Sequence, residues 1–167
     1  YPANAPDSRN AYLATDMYKY LLDHEALIQQ LQPVTDIGVM YSKPSGEHVG
    51  DAAFARSMSG VQRLLTENHY QYGFVSDKLL TAERLKEFKV LLLPNVAALS
   101  DEHILLINDW VKQGGKLISS FQTSLFDEQG KARKDFGLSE VMGVNDLHQI
   151  ANTEMDCYQK IIHRNDL

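Results

Sequence analysis

The chain has 167 residues, 44 % of them hydrophobic and 23 % charged, with a formal net charge of −6 and a single cysteine. That is the size and composition of one globular domain with a real core, and the acidic balance argues against a nucleic-acid footprint. The longest apolar runs are far below the roughly 20 residues needed to span a bilayer, and one cysteine leaves no internal disulfide and no cysteine-based zinc site.

Tyr1 to Asn10 carries two prolines, two asparagines and no periodicity, and reads as a linker or arm. Leu13, Met17, Tyr20, Leu21, His24, Leu27, Ile28 and Leu31 then recur at helical spacing, which predicts one long helix closed by Pro33. Val34 to Tyr41 predicts a first strand, with Ser42 to Gly46 as the loop at its carboxyl end. Asp51 is placed to cap the next helix, whose core stripe is Phe54, Met58, Val61 and Leu65. A short strand follows at Tyr72 to Val75, then one or two helical turns from Thr81 to Glu87.

The stretch from Lys89 to Ser124 organises the rest. Val90 to Leu93 is too short for a helix and apolar throughout, as a strand of a parallel sheet buried on both faces would be, and Pro94 stops it. Ser100 is a good N-cap, Asp101 and Glu102 suit the first turn of a helix, and Ile104, Ile107 and Val111 share one face with Trp110 beside them. Gly114 is the expected C-cap, and Lys116 to Phe121 resumes as a strand. This is a β-α-β unit with a right-handed crossover. The alternation along the chain predicts a flavodoxin-like, doubly wound, mostly parallel sheet in a three-layer α/β/α arrangement. Farther on, Glu128-Gln129-Gly130 reads as a turn, Lys131, Arg133 and Lys134 as an exposed basic trio, and Leu138 to Met142 as a short helix. The expected organisation is a linker and N-terminal helix over 1–33, the α/β domain over 34–145 and a C-terminal extension over 146–167.

In open parallel sheets, ligands and catalytic groups lie beyond the carboxyl ends of the strands, which here means Pro94 to Ala98 and Gln122 to Asp127. A nucleophile elbow needs Ser or Cys between small residues at the strand-to-helix turn, and the turn after Leu93 offers Asn95-Val96-Ala97-Ala98 instead. Asn95 is suited to capping its own turn or to orienting a ligand by its amide. The Ser45 to Gly50 loop enters a helix as phosphate loops do, yet it lacks the Lys-Ser/Thr ending and carries Glu47 and Asp51 where a phosphate would sit, so it reads as a connection. The six histidines show no paired metal-ligand spacing, and Cys157 reads as a passive thiol. No cofactor or metal is expected. The richest polar cluster is Thr123, Ser124, Asp127, Glu128, Arg133 and Asp135. Two readings of it stand side by side. One is a loop holding a sugar or carboxylate through hydroxyls, carboxylates and a guanidinium fork; the other is a solvated loop with a local Asp/Arg pair. Phe126 and Phe136 interleave the cluster and suggest a loop that packs against a partner.

The segments VTDIGVMYS, KVLLLPNVAALSDEHILLINDWVKQGGKLISSFQTSLFDEQG and RKDFGLSEVMGV resemble a class I glutamine-amidotransferase-like domain. It is the one that follows the catalytic barrel in certain microbial glycoside hydrolases, the beta-galactosidase trimerisation domain. The likeness runs from about Val34 to Val144, and its most specific pieces are the LLLPN strand end, the S-D-E helix start, the W-V-x-x-G-G-K-L crossover and the D-F-G-L-S-E-V-M-G-V close. None of these is a catalytic signature. In true class I amidotransferases the elbow carries a cysteine, and the matching residues here are Asn95 to Ala98, so the resemblance does not bring that activity with it. It implies an accessory domain without catalytic residues of its own, working as a homo-oligomer. Its partner would be the catalytic barrel of the same protein or of a neighbouring subunit, with a carbohydrate site nearby. Tyr1 to Pro33 would be the join from the barrel, and relatives continue beyond the point where this chain stops.

The candidate ligand-binding residues are therefore Asn95, Thr123, Ser124, Asp127 and Arg133, and the candidate interface residues Phe126 and Phe136. Two competitors differ in class: a free-standing small-molecule binding or sensing domain of the same fold, and a hydrolase with Ser124 as an unconventional nucleophile. Ser124 has no evident base beside it in sequence. No nucleic-acid or membrane partner is expected; the chain reads as soluble, with the compartment open between cytoplasm and periplasm.

Overall fold

The computed structural model describes residues 9–31 and 33–145. The chain divides after Thr35 into two compact units. The expected C-terminal extension, Cys157, His148 and His163 lie outside the described residues.

In the first unit the expected long helix is broken into α1 (Arg9–Asp23) and α2 (Glu25–Ile28). The break falls at His24, where the imidazole Nδ1 donates to Tyr20 O (2.8 Å) while the His24 backbone N–H donates to the same carbonyl at 3.2 Å. The ring also stacks on Tyr20, with centroids 4.1 Å apart. The imidazole shares the Tyr20 carbonyl with the backbone N–H, and just past it the helix tightens, Leu27 N–H donating to His24 O three residues back (3.0 Å), which spacing alone does not foretell.

The second unit is a four-stranded, all-parallel sheet in the order β2-β1-β3-β4, with β1 Ile37–Tyr41, β2 Tyr72–Ser76, β3 Val90–Leu93 and β4 Lys116–Ser119. This is the strand order of flavodoxin-like sheets. Ile37 pairs with Tyr72 on one side and with Val90 on the other, and Val90 pairs in turn with Lys116. The helices are α3 (Asp51–Glu67), α4 (Ala82–Leu85), α5 (Asp101–Lys112) and α6 (Ser139–Met142). From β1 the chain crosses to β2 on one side, and from β3 to β4 on the other. Right-handed crossovers therefore put α3 and α5 on opposite faces. Phe88 marks the α5 face, because its ring lies 3.0 Å from where a Cβ on Gly38 would stand. The layers are thus α3, sheet, and α4 with α5.

The core forms where the stripes meet the sheet. Phe54, Met58 and Leu65 are buried from α3, Ile104, Ile107 and Trp110 from α5, and Val39, Met40, Val75, Leu91 and Leu93 from the strands. Ser100 caps α5 by accepting from His103 N–H (3.2 Å), and Thr81 caps α4 by accepting from Arg84 N–H (3.2 Å). Gly114, at φ 101°, turns the chain after α5, and Gly115 leaves the room that Trp110 fills: a Cβ there would lie 2.3 Å from the indole.

Several boundaries differ from the sequence expectation. Asp51 is the first residue of α3 and not its cap, because the Ser45–Gly50 connection is wound as a π-helical turn that delivers Gly50 at φ 153° as the capping residue. β1 starts at Ile37 and not Val34. β3 is buried at Leu91 and Leu93 and only half-buried at Val90 and Leu92. β4 ends at Ser119, since Phe121 takes a left-handed conformation (φ 54°) that no strand continues through. Among the described residues, no helix is long and apolar enough to cross a membrane.

Candidate functional site

The carboxyl ends of β1, β3 and β4 are closed by three connections knitted together through polar side chains. After β1, Ser42 Oγ donates to Ala98 O (3.0 Å), Ser45 Oγ donates to Ser42 Oγ (2.8 Å), and Ala98 N–H donates to Ser45 Oγ (2.9 Å). Both serines are fully buried. They pin the first loop to the turn after β3. Sequence reasoning passed over them; their one signal is a Ser pair three residues apart just past a strand end, where hydroxyls close loops by bonding to backbone.

The turn after β3 is the position of an amidotransferase elbow. Asn95 occupies it at φ 51°, almost wholly buried, with Oδ1 accepting from Gln122 N–H (3.3 Å) and its own N–H donating to Ser120 Oγ (3.0 Å). Val96, Ala97 and Ala98 behind it are buried apolar side chains. Thr123 Oγ1 donates toward the carbonyls of Leu93 (3.0 Å) and Ser120 (2.8 Å). Ser124, at φ 66°, accepts on Oγ from Leu138 N–H (3.1 Å), while its backbone N–H donates to Val96 O (2.9 Å). Ser124 is thus fully buried, with its hydroxyl bound to a backbone amide.

The loop from Ser124 to Leu138 lies against the 95–99 turn. Phe126 bonds through its backbone to Ala97 O (2.9 Å) and Leu99 N–H (3.0 Å), forming a short parallel bridge at Ala98 and an antiparallel one at Ala132. Asp127 Oδ1 accepts from the N–H groups of Gln129 (3.0 Å) and Lys131 (2.8 Å), closing the turn at Gly130. Arg133 points inward: Nη2 donates to Leu99 O (2.9 Å) and Nη1 pairs with Asp101 Oδ1 (2.6 Å). Arg133 thus pairs across the fold with helix α5, and Asp135 Oδ1 accepts from Phe136 N–H (2.7 Å). Phe126 and Phe136 are half-buried.

The structure brings all five candidate ligand residues to one edge of the sheet and engages each in hydrogen bonds with its own neighbouring loops. One cleft at this edge, of about 350 Å³, is lined by Tyr41, Lys43, Gly46 and Glu47. A roomier cleft, about 570 Å³, lies at the opposite, amino end of β3 and β4, beside Phe88, Trp110, Lys86 and Gln113. Among the described residues no group of histidines, cysteines and carboxylates is arranged to hold a metal ion.

Residues 66–164 match the family model of the beta-galactosidase trimerisation domain, more than half of the chain. The chain belongs to that family. Solved structures agree at the level of the fold. One is a beta-galactosidase from Bifidobacterium adolescentis, with a TM-score of 0.57 at 18 % identity over 66 % of this chain and 54 % of that one. Another is Gan42B, a GH42 beta-galactosidase of G. stearothermophilus, with a TM-score of 0.61 at 17 % identity over 83 % of this chain. The trimerisation-domain chain thus spans about half the length of the first and 21 % of the second. No curated protein matches it.

Proposed function

We propose that this trimerisation domain is a non-catalytic part of a beta-galactosidase-like glycoside hydrolase, holding copies of the enzyme together beside their catalytic barrels. The observation that carries this reading is the turn after β3. Where the fold would present a nucleophile, Asn95 is buried and bonded to the next loop, and three apolar side chains follow it. Covalent catalysis needs a nucleophile with a base in reach, and the buried hydroxyls here are bound to backbone. A domain whose polar residues close its own loops acts through its surface. If a sugar site of a neighbouring barrel is shaped by this domain, the cleft lined by Tyr41, Lys43 and Glu47 is an open part of the carboxyl edge to face it.

Sedimentation of the protein, with assays of glutamine, activated-ester and galactoside hydrolysis on the 167-residue chain, tests the reading. Self-association without turnover is expected. A monomer at every concentration, or turnover abolished by Ser124→Ala alone, would defeat it.

A further inference from the structure

The cleft of about 570 Å³ at the amino ends of β3 and β4 gathers positive charge in a chain whose formal net charge is −6. Lys86, Lys89 and Lys116 line it, against the carboxylate of Asp36. Lys89 pairs with Asp36 at 2.8 Å, but both side chains are more than half exposed, so the pair is weak and readily exchanged for another. Lys86 and Lys116 have no carboxylate partner among the described residues. The carbonyls that end α5 would repel an anion, yet they are taken up within the turn. Gln113 N–H donates to Asp109 O (3.1 Å), Gly114 N–H to Val111 O (2.9 Å) and Gly115 N–H to Trp110 O (3.1 Å).

The rest of the wall is apolar and rigid. Phe88 and Trp110 are only 4 % and 8 % exposed, so their rings are held by the core while part of each borders the cleft. Gly114 and Gly115 put no side chain into the space, and a Cβ on Gly114 would meet nothing within 4 Å. The indole N–H has no acceptor among the described residues, and it is not one of the side-chain atoms buried without a partner, which are Asn108 Oδ1 and Arg133 Nε. It therefore reaches solvent, and Trp110 lines this cleft and a smaller one of about 190 Å³ beside it. Small-molecule sites are hollows of about 300–1,000 Å³ with mostly apolar walls and a few convergent polar groups, which is the make-up of the larger cleft.

We propose that this cleft binds a small organic anion, a carboxylate or phosphate carried on a flat apolar body. The ammonium groups and the indole N–H are donors that suit anionic oxygens, and the body lies against the wall of Phe88 and Trp110. A neutral ligand would leave the lysine charges unanswered, and an inorganic ion would leave the apolar wall in water. The site is at the opposite end of the sheet from the Tyr41 cleft and does not rest on the oligomerisation reading.

Trp110 is the single tryptophan of the 167-residue chain, so its emission reports on the cleft directly. The chain is titrated with phenyl phosphate and with benzoate, and, for the two halves of the ligand apart, with inorganic phosphate and with benzyl alcohol. Phenyl phosphate or benzoate should change the emission saturably, half-complete at about millimolar concentration, and whichever is the tighter names the anionic group. Inorganic phosphate and benzyl alcohol should each need at least about tenfold more. Lys86→Gln and Lys116→Gln should each weaken the tighter probe about threefold and together about tenfold, with circular dichroism and melting unchanged. Lys134→Gln, at the carboxyl edge, should leave it as it was. No saturable change with either aromatic anion would overturn the proposal. So would benzyl alcohol binding as well as the anions, which makes the cleft a plain apolar hollow, or Lys134→Gln weakening binding as much as Lys86→Gln, which makes the attraction one of overall charge.

Discussion

Arg133 and Asp101 meet across the carboxyl edge of the sheet, Nη1 to Oδ1 at 2.6 Å, tying the 124–138 loop to the first turn of α5. The same guanidinium holds the carbonyl of Leu99, one residue before the Ser100 cap. The two partners differ in what they contribute. The Asp101 side chain is 82 % exposed, so its pairing is screened by solvent, whereas the Leu99 carbonyl belongs to a buried residue. Arg133→Ala should therefore destabilise by about 1–3 kcal/mol by leaving a buried carbonyl unpaired, and Asp101→Asn by under about 1 kcal/mol. Urea unfolding of the two variants checks the order; equal losses would mean that the ion pair dominates.

Trp110 and Gly115 form a second coupled pair. Trp110→Ala should cost about 3–5 kcal/mol, since the indole is nearly all buried. Gly115→Ala forces a Cβ to within 2.3 Å of that ring and should cost about 1–3 kcal/mol. In the double variant the clash is gone, so the two losses should fall well short of adding. Trp110 is the single tryptophan of the chain, so its emission in Gly115→Ala should report the displacement directly. Additive losses would show that the two sites are independent.

Asn95 allows strain to be separated from hydrogen bonding. Asn95→Ala puts an ordinary side chain at φ 51° and removes the acceptor of Gln122 N–H, for a loss of about 1–3 kcal/mol. Asn95→Gly keeps the backbone unstrained and should lose only the hydrogen-bond part. Thermal melts in which glycine is as harmful as alanine would assign the whole effect to the amide.

Lys112 on α5 pairs with Glu140 on α6 at 2.9 Å, and the hydrogen bond and negative charge of Glu140 raise its pKa above the usual lysine value. A raised lysine pKa means that the folded state binds the proton more tightly than the unfolded state. The pair therefore stabilises at pH below the usual lysine pKa, and that contribution fades as pH rises through the raised one. An NMR titration of Lys112 should show a lower midpoint in Glu140→Gln than in the wild type. Coincident midpoints would disconnect the two residues.

The β3-α5-β4 unit was legible in sequence because its signals are local: an apolar run stopped by Pro94, a Ser100 cap with acids behind it, and a glycine at the helix end. The break at His24 was hidden because it depends on an imidazole turning back onto Tyr20, not on periodicity. Phe121 reads as the natural end of a strand, and only its backbone angle shows otherwise. At the candidate site, residue types and their common edge could be read, since topology dictates both. Their partners could not, because Thr123, Ser124 and Arg133 bind backbone groups of Leu93, Leu138 and Leu99, and backbone groups leave no mark in a sequence.

The central position of β1 also sets an order of events during synthesis. β1 leaves the ribosome before the other described strands of its sheet, and both its neighbours, β2 and β3, come later in the chain. Its buried Val39 and Met40 must wait for partners reached only through helical crossovers. Such non-local pairing is slow and leaves apolar surface exposed meanwhile. A nascent chain halted before Leu93 would hold its middle strand with one side unpaired, so this is the stage at which chaperones should be needed most.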